Sequence, residues 1–297
     1  MDDKKLDDIL DEENDHELDL VFEDVMSPEE PTGTGHKASS RGALVRRIIM
    51  AVSLCVFAFS AIMLIVTFFK YKNGRDIYTN VSNQVIKPNP NRPSGSDDID
   101  AADAFLYNHA ALLSINRDAI GYIVIPGIDV QLPVVYRSGD NNYYLDHAVD
   151  GSESMFGTLF IDGNITKGFQ SSHILIHGHN MYDGSMFAGL AKYRNEDFAR
   201  NGDNNTVYIY SEDKCYTYRI FSVHQVDPVN SAFTINFSSI SAMRDYASRM
   251  KQDSMYDFGV PINNATQVLT LSTCTSDSKH RFVVHCVLTS TKAIEQS

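Results

Sequence analysis

An apolar run at residues 48–69 contains no charged residue. As a helix, this run is long enough to cross a hydrocarbon core of about 30 Å. A signal peptide would begin within the first residues and have a shorter apolar region, whereas polar residues dominate positions 1–47. The sequence therefore predicts an uncleaved transmembrane helix at residues 48–69.

The basic residues that flank this run are almost balanced between its two sides. Those before it are Lys37, Arg41, Arg46 and Arg47, and those after it are Lys70, Lys72 and Arg75. Because Arg46 and Arg47 lie directly beside the apolar run, the positive-inside rule slightly favours a cytoplasmic amino terminus. We therefore expect a single-pass protein of the cell membrane whose carboxyl-terminal part is extracellular.

Most of the formal net charge of −13 lies at the amino terminus, where residues 1–35 contain fourteen Asp or Glu against Lys4 and Lys5. The rest of the chain is close to neutral, so no nucleic-acid-binding face is indicated. High charge and few aromatic residues are typical of disorder. Residues 1–47 are therefore predicted to be an acidic, disordered cytoplasmic tail, with a docking peptide as the alternative.

The segment after the apolar run is predicted to be a stalk at residues 70–97. Its first part, to about residue 86, can continue as helix, and Pro88, Pro90 and Pro93 then separate a globular domain from the bilayer. The globular domain is predicted at residues 98–292, followed by a tail at 293–297. Asp98 or Asp100 would cap a first helix that runs to about Ile115.

The globular domain is predicted to be mainly β. Short β-rich runs separated by Gly, Asn and Asp turns favour a closed barrel or a sandwich. These runs are 120–125, 129–136, 157–161, 172–177, 205–210, 215–226, 266–273 and 281–289. Helical patterns interrupt them at about 185–199 and at 238–252, and the second directly precedes the strand that ends at Cys274.

Cys274 is the candidate nucleophile. A lone cysteine is more often a small core residue, but polar neighbours at a strand end favour an accessible thiol. Cys286 alternates with apolar residues along its strand and is predicted to lie in the core, and Cys215 is predicted to be structural. With Cys55 in the apolar run, an odd number of cysteines is left outside it, so a disulfide scaffold is not favoured.

His179 and Arg281 are the candidate partners of this thiol. A thiol is only a few per cent thiolate at neutral pH, so an imidazole must activate it, and His179 follows a predicted strand. The spacing of His173, His177 and His179 also permits a metal site, but no carboxylate or cysteine at close spacing completes one, and no cofactor is expected. Arg281 can stabilise an oxyanion or form a surface salt bridge.

Three motifs in this order resemble the sortases, the membrane-anchored cysteine transpeptidases of Gram-positive bacteria. They are Thr-Leu-Ser-Thr-Cys at 270–274, Gly178-His179, and His-Arg-Phe-Val-Val at 280–284, supported by Gly-Tyr-Ile-Val-Ile-Pro-Gly at 121–127. The resemblance covers about residues 100–290 and is nearest to class B. It implies an eight-stranded β-barrel with amino-terminal helices and a helix-bearing insertion before the cysteine strand.

The same resemblance implies the roles of individual residues. Cys274 is the nucleophile, His179 the general acid/base and Arg281 the stabiliser of the transition state. Ser272, Thr273 and His177 are expected to contact the substrate. The backbone N–H of Thr275 is expected to join the oxyanion hole.

The implied reaction is the cleavage, after Thr, of a carboxyl-terminal sorting motif of the Asn-Pro-x-Thr-x or Pro-x-Thr-Gly kind in a secreted surface protein. The acyl group on Cys274 then passes to an amine of the cell wall or of a pilin. One alternative is an L,D-transpeptidase-like acyltransferase, although its Ser-x-Gly-Cys signature is absent around Cys274. Another is a non-enzymatic, membrane-tethered surface binding domain.

Overall fold

The computed structural model describes residues 40–90, 101–275 and 279–294. Most of the predicted acidic tail, the end of the predicted stalk with Pro93, and both proposed capping residues, Asp98 and Asp100, lie outside the described residues. Within them, the chain forms two compact units that divide between Ile62 and Met63.

The helices and strands are numbered in chain order. The α-helices are α1 (Ser40–Val85), α2 (His109–Ile115), α3 (Glu196–Arg200) and α4 (Ile240–Gln252). The strands are β1 (Ile86–Pro88), β2 (Phe105–Tyr107), β3 (Ala119–Ile125), β4 (Val130–Tyr136), β5 (Leu159–Ile161), β6 (His173–His177), β7 (Thr206–Ser211), β8 (Lys214–Val226), β9 (Val268–Cys274) and β10 (Arg281–Ala293). Short 3-10 helices include Tyr143–Leu145, Ala188–Arg194 and Ser231–Phe233.

Eight of these strands close a barrel in the order β10-β8-β7-β3-β4-β5-β6-β9. The pairs β4–β5 and β6–β9 are parallel, and the remaining pairs are antiparallel. Each of the eight β-rich runs in the sequence corresponds to one barrel strand. The prediction of a mainly β, eight-stranded barrel is therefore confirmed.

Helix α1 contains the apolar run. Every large apolar side chain from Leu44 to Phe69 is at least 42% exposed. Among the described residues, this is the one helix that is long and apolar enough to cross a membrane. Its exposed apolar surface is what a segment surrounded by lipid would present.

The carboxyl-terminal part of α1 packs into the barrel domain. Tyr78, Val81 and Val85 are buried in the same hydrophobic core as the barrel strands. Their spacing of three and four residues places them on one face of the helix. Residues 70–86 are helical up to Val85, as predicted, but this part of the predicted stalk belongs to the core and does not form a spacer.

Two predicted helices have different limits in the structure. Residues 105–107 form β2, which pairs antiparallel with β1, so the predicted helix up to Ile115 is reduced to α2. The Asn108 side chain caps α2 by accepting a hydrogen bond from the N–H of Ala111 at 2.8 Å. The predicted helix at 185–199 is a 3-10 helix followed by α3, because Asn195 leaves the helical conformation and caps the N–H of Phe198.

Helix α4 lies in the insertion between β8 and β9, as predicted. Ser239 caps its first turn by accepting a hydrogen bond from the N–H of Ala242. Its buried face contains Met243, Tyr246, Ala247 and Met250, which form a second core cluster with residues of β8, β9 and β10. The insertion therefore packs against β9, which ends at Cys274, and β10, which begins at Arg281.

Candidate active site

Three neighbouring strands bring the candidate residues to one edge of the barrel. Strand β6 runs parallel to β9, with His177 beside Ser272. Strand β10 runs antiparallel to β9, with Arg281 directly opposite Cys274. The N–H of Gly178 donates to the Ser272 carbonyl at 3.1 Å and extends the β6–β9 contact to the residue before His179.

These strand ends open into a cavity of about 420 Å³. His179, Cys274 and Arg281 all line it, together with His177, Ser272 and Thr273 from the sequence prediction. The remaining lining residues are Asn141, Asn142, Leu145, Phe160, Asp162, Leu175, Gly178, Pro228 and Phe233. The thiol, the imidazole and the guanidinium thus share one open cleft, although they are far apart in the sequence.

His179 is oriented by a backbone carbonyl. Its Nε2–H donates to the Leu145 oxygen at 2.6 Å. A carbonyl can only accept, so this contact places the proton of the neutral ring on Nε2 and leaves Nδ1 as the acceptor. Gly157 makes the arrangement possible, because at its φ of 56° a Cβ atom would lie 2.8 Å from the Leu145 oxygen and 3.0 Å from Cδ2 of His179.

Cys274 is the accessible thiol of the barrel. Its side chain is partly exposed, whereas Cys215 and Cys286 are fully buried. Burial raises the pKa of the Cys286 thiol well above its ordinary value, which keeps this thiol inert. Asn180 fixes the end of β9, since its side-chain amide donates to the Cys274 carbonyl at 2.9 Å. This burial agrees with the predicted core position of Cys286 and with the predicted structural role of Cys215.

Arg281 is half-buried at the start of β10. One guanidinium nitrogen, Nη1, donates to the carbonyl of the preceding His280 at 3.1 Å, and the side chain lines the same cavity as Cys274. The backbone N–H of Thr275 donates to the same His280 carbonyl at 3.1 Å. A role of this N–H in an oxyanion hole would therefore require that hydrogen bond to open.

His177 is held by a carboxylate in the floor of the cavity. Its Nε2 lies 3.2 Å from Oδ2 of Asp162. Burial tends to raise the pKa of Asp162, but hydrogen bonds from His177, the Asn164 backbone and Asn141 outweigh this effect and hold the pKa well below its ordinary value. Thr273 differs, because its buried Oγ1 has no hydrogen-bond partner among the described residues.

Cys274 also borders a second cavity of about 300 Å³, on the side of Phe282 and the 3-10 helix Ala188–Arg194. Thr275 lines this cavity and not the first, unlike the other predicted substrate-binding residues. The Arg194 guanidinium stacks 4.6 Å from the Phe282 ring centroid and donates to the Gln225 side chain at 2.8 Å. Cys274 therefore lines two cavities, the larger one with His179 and Arg281 and this smaller one with Arg194 and Thr275.

Several residues of this site were missed by the sequence analysis. Asp162 directly follows β5, so a polar residue at a strand end was an available signal. Asn180 is adjacent to His179, and the same signal applied to it. No sequence pattern indicates the Leu145 carbonyl, because a backbone group in a loop can be assigned to a site only from the three-dimensional structure.

The alternative metal site is not supported by the position of His173. This side chain is 1% exposed, and its two ring nitrogens contact the Thr234 carbonyl and the Thr270 hydroxyl, each at 2.7 Å. Among the described residues, no group of three His, Cys, Asp or Glu side chains is arranged to hold a metal ion.

Comparisons with known proteins agree with this geometry. A sequence model of the sortase domain matches residues 123–289, which is more than half of the chain. Sortase B of Listeria monocytogenes is 29% identical over 243 residues, covering 77% of this chain and 89% of that protein. The structure of Clostridium perfringens sortase B has a TM-score of 0.56 at 30% identity, covering 61% of this chain and 99% of that one.

A third comparison extends the similarity in fold. The structure of sortase B from B. anthracis has a TM-score of 0.61 at 24% identity and covers 74% of this chain and 98% of that one. The barrel, the order of its motifs and the family match lead to the same assignment. The chain belongs to the sortase family of cysteine transpeptidases and is class B-like.

Proposed function

We propose that this protein cleaves a carboxyl-terminal sorting motif of a secreted surface protein after Thr and transfers the new acyl end to an amine of the cell wall or of a pilin. The observation that carries this proposal is the shared cavity of Cys274, His179 and Arg281. A nucleophile, a base and a fixed cation around one cleft are the groups that covalent acyl transfer requires.

In the first half-reaction, His179 takes the proton of the Cys274 thiol, the thiolate attacks the Thr carbonyl carbon, and a carbon–sulfur bond forms. The Arg281 guanidinium stabilises the charge that develops on the carbonyl oxygen, as a permanently charged donor can. His179 gives a proton to the departing amine as the carbon–nitrogen bond breaks. The sorting motif lies in the larger cavity, where His177, Ser272 and Thr273 are within its lining.

In the second half-reaction, the acceptor amine attacks the thioester carbon and gives a proton to His179, the new carbon–nitrogen bond forms, and the carbon–sulfur bond breaks to release the Cys274 thiolate. The larger cavity still holds the acyl peptide at this stage, so the acceptor needs another route to the thioester. The second cavity, lined by Ala191, Arg194 and Thr275, borders Cys274 from a different side. We assign the approach of the acceptor to this cavity, where Arg194 suits an acceptor that also carries a carboxylate.

The apolar part of α1 anchors the enzyme in the cell membrane, with the amino terminus in the cytoplasm and the barrel outside. Its length, its composition and its exposed apolar side chains support this role. Anchoring places the enzyme, a membrane-bound surface-protein precursor and a cell-wall precursor in one plane and so raises their effective concentrations.

The test is to incubate the full-length protein in detergent with peptides of the Asn-Pro-x-Thr-x and Pro-x-Thr-Gly kinds and to measure the intact mass and the released products. We expect an acyl adduct on Cys274 and its loss on adding an amine. Cys274→Ala should abolish both steps, whereas Cys55→Ala should retain them. Turnover by the Cys274→Ala variant would contradict the proposal.

A further inference from the structure

A continuous chain of buried polar side chains lies behind the cleft. His173 on β6, Thr270 on β9, and His285 on β10 follow one another, and His224 on β8 extends the chain. The exposed fractions of these four residues are 1%, 0%, 0% and 6%. The proposed mechanism uses none of them.

The chain links the same three strands that carry the candidate catalytic residues. His173 lies on the strand that leads to His179, Thr270 on the strand that ends at Cys274, and His285 on the strand that begins at Arg281. Nε2 of His173 and Nδ1 of His285 each lie 2.7 Å from the Thr270 hydroxyl. One hydroxyl therefore connects all three strands.

Both ends of the chain are backbone carbonyls, which can only accept. Nδ1 of His173 lies 2.7 Å from the Thr234 oxygen, and Nδ1 of His224 lies 3.3 Å from the Asp253 oxygen. The two inner nitrogens, Nε2 of His224 and Nε2 of His285, are 3.0 Å apart. The chain thus contains five contacts, namely these three and the two made by Thr270, and each contact needs one proton.

When the three imidazoles are neutral, this chain of side chains has only four protons for its five contacts. Each neutral imidazole contributes one N–H, and the Thr270 hydroxyl contributes one O–H. Tyr246 does not supply the missing proton, because its hydroxyl donates to the Ala232 carbonyl at 2.6 Å. The Tyr246 oxygen also lies 3.5 Å from Nδ1 of His285, where it can only accept and therefore adds no donor. One contact must therefore remain unfilled, and the longest, between His224 and the Asp253 oxygen, is the weakest of the five.

We propose that this chain is a positioning network that holds the three site-bearing strands together, and that it binds one additional proton, shared along the chain, when the protein is acidified. The added proton fills the fifth contact. A second added proton would have no contact left to fill and would place two positive charges in one buried chain, so uptake stops at one.

Burial opposes a positive charge on the three imidazoles, whereas Asp253 favours one on His224. Burial lowers the pKa of His173 to about 4 and also lowers the pKa values of His224 and His285, so the rings are neutral at pH 7. The other charged or titratable groups that face the chain come from α4 and its end. They are Tyr246, Arg249, which acts on Tyr246, and the Asp253 carboxylate, which favours a charge on His224.

The proton count can be changed at Thr270 with little change in shape. Thr270→Val removes two contacts and one proton, so three contacts remain for three N–H groups and the deficit disappears. Thr270→Ser keeps the hydroxyl and loses only a methyl group. Thr217→Val is the matched control, because its buried Oγ1 has no hydrogen-bond partner among the described residues.

The first measurement follows the ring nitrogens of ¹⁵N-histidine in the full-length protein in detergent micelles during a pH titration. In the wild type we expect His173, His224 and His285 to report uptake of a single proton with one common midpoint. Thr270→Val should separate the responses of His173 and His285 and weaken proton binding by about tenfold or more, which is one pH unit. Thr270→Ser and Thr217→Val should resemble the wild type.

Independent midpoints for the three rings in the wild type, or equal titrations of Thr270→Val and wild type, would overturn the proton site. Amide spectra report whether each variant is folded. If Thr270→Val does not fold, His224→Gln gives the same test. The Gln amide N–H that faces His285, the Thr270 hydroxyl and one N–H from each of the two remaining imidazoles then give four donors for the four remaining contacts. That variant should then take up no shared proton.

The second measurement tests positioning and rests on the proposed function. At pH 7 we expect Thr270→Val to lower kcat by about tenfold or more with KM within about twofold, because small displacements of reacting groups are costly. Thr270→Ser should retain the wild-type kcat. If packing alone mattered, Thr270→Ser would be the impaired variant. A wild type that shows the shared proton but no transpeptidation would refute the proposed function and leave the proton site intact.

Discussion

At the scale of single residues, Arg281 lies directly opposite Cys274 in two paired strands and lines the same cavity. We predict that Arg281→Ala leaves the fold intact and lowers kcat by about 10²–10³-fold, which corresponds to about 2.7–4 kcal/mol of transition-state stabilisation, as the loss of an oxyanion donor does. Arg281→Lys should recover only part of this loss, because an ammonium lacks the planar fork. Steady-state kinetics with a sorting peptide would measure both. Equal activity of the alanine variant and the wild type would remove Arg281 from the mechanism.

Asp162 gives a prediction about pH. Its pKa in the folded protein lies below the unfolded value of about 3.9, so its ionised form stabilises the fold above that pH and the contribution is lost on acidification. As the pH is lowered from about 5, we expect the unfolding free energy of the wild type to decrease more steeply than that of Asp162→Asn. Denaturant unfolding at several pH values would show this difference. Parallel curves for the two proteins would contradict it.

At the scale of elements, the 3-10 helix Ala188–Arg194 forms one wall of the second cavity. Ala191 is exposed and lines that cavity, so Ala191→Trp should fill it without disturbing the core. We predict slower transfer to an amine, by about tenfold, with formation of the acyl-enzyme unchanged, because only the acceptor loses its path. Lys192→Trp, on the neighbouring residue outside the lining, is the control. Product ratios with and without amine would separate the two steps.

The elements also show how far a sequence can predict this protein. Short β-rich runs separated by Gly, Asn and Asp turns identified all eight barrel strands, and the motifs around Cys274, His179 and Arg281 marked three strand ends. Strand β2 was missed, because its conformation depends on pairing with β1, about twenty residues earlier in the chain. The chain of His173, Thr270 and His285 was also missed, since it depends on the registers of three strands, which single-strand patterns do not contain.

At the scale of the whole molecule, the barrel domain includes the end of α1. Tyr78, Val81, Val85 and Ile86 are buried in its core, and each buried side chain of this kind contributes on the order of 1.5–3 kcal/mol. We predict that a protein beginning at residue 70 unfolds cooperatively, whereas one beginning at residue 98 is strongly destabilised or unfolded. Thermal unfolding followed by circular dichroism would compare the two. Equal midpoints would show that the helix is dispensable.

The hydroxyl of Tyr78 near the end of α1 donates to the carbonyl of Gly157, and Gly157 lies against the His179 ring. The end of α1 is thus also a structural support for His179. Replacing the end of α1, either to immobilise the enzyme on a bead or to exchange it for a segment of another protein, would therefore disturb the position of His179 as well. Engineering of such enzymes should therefore treat residues 70–88 as part of the active machinery.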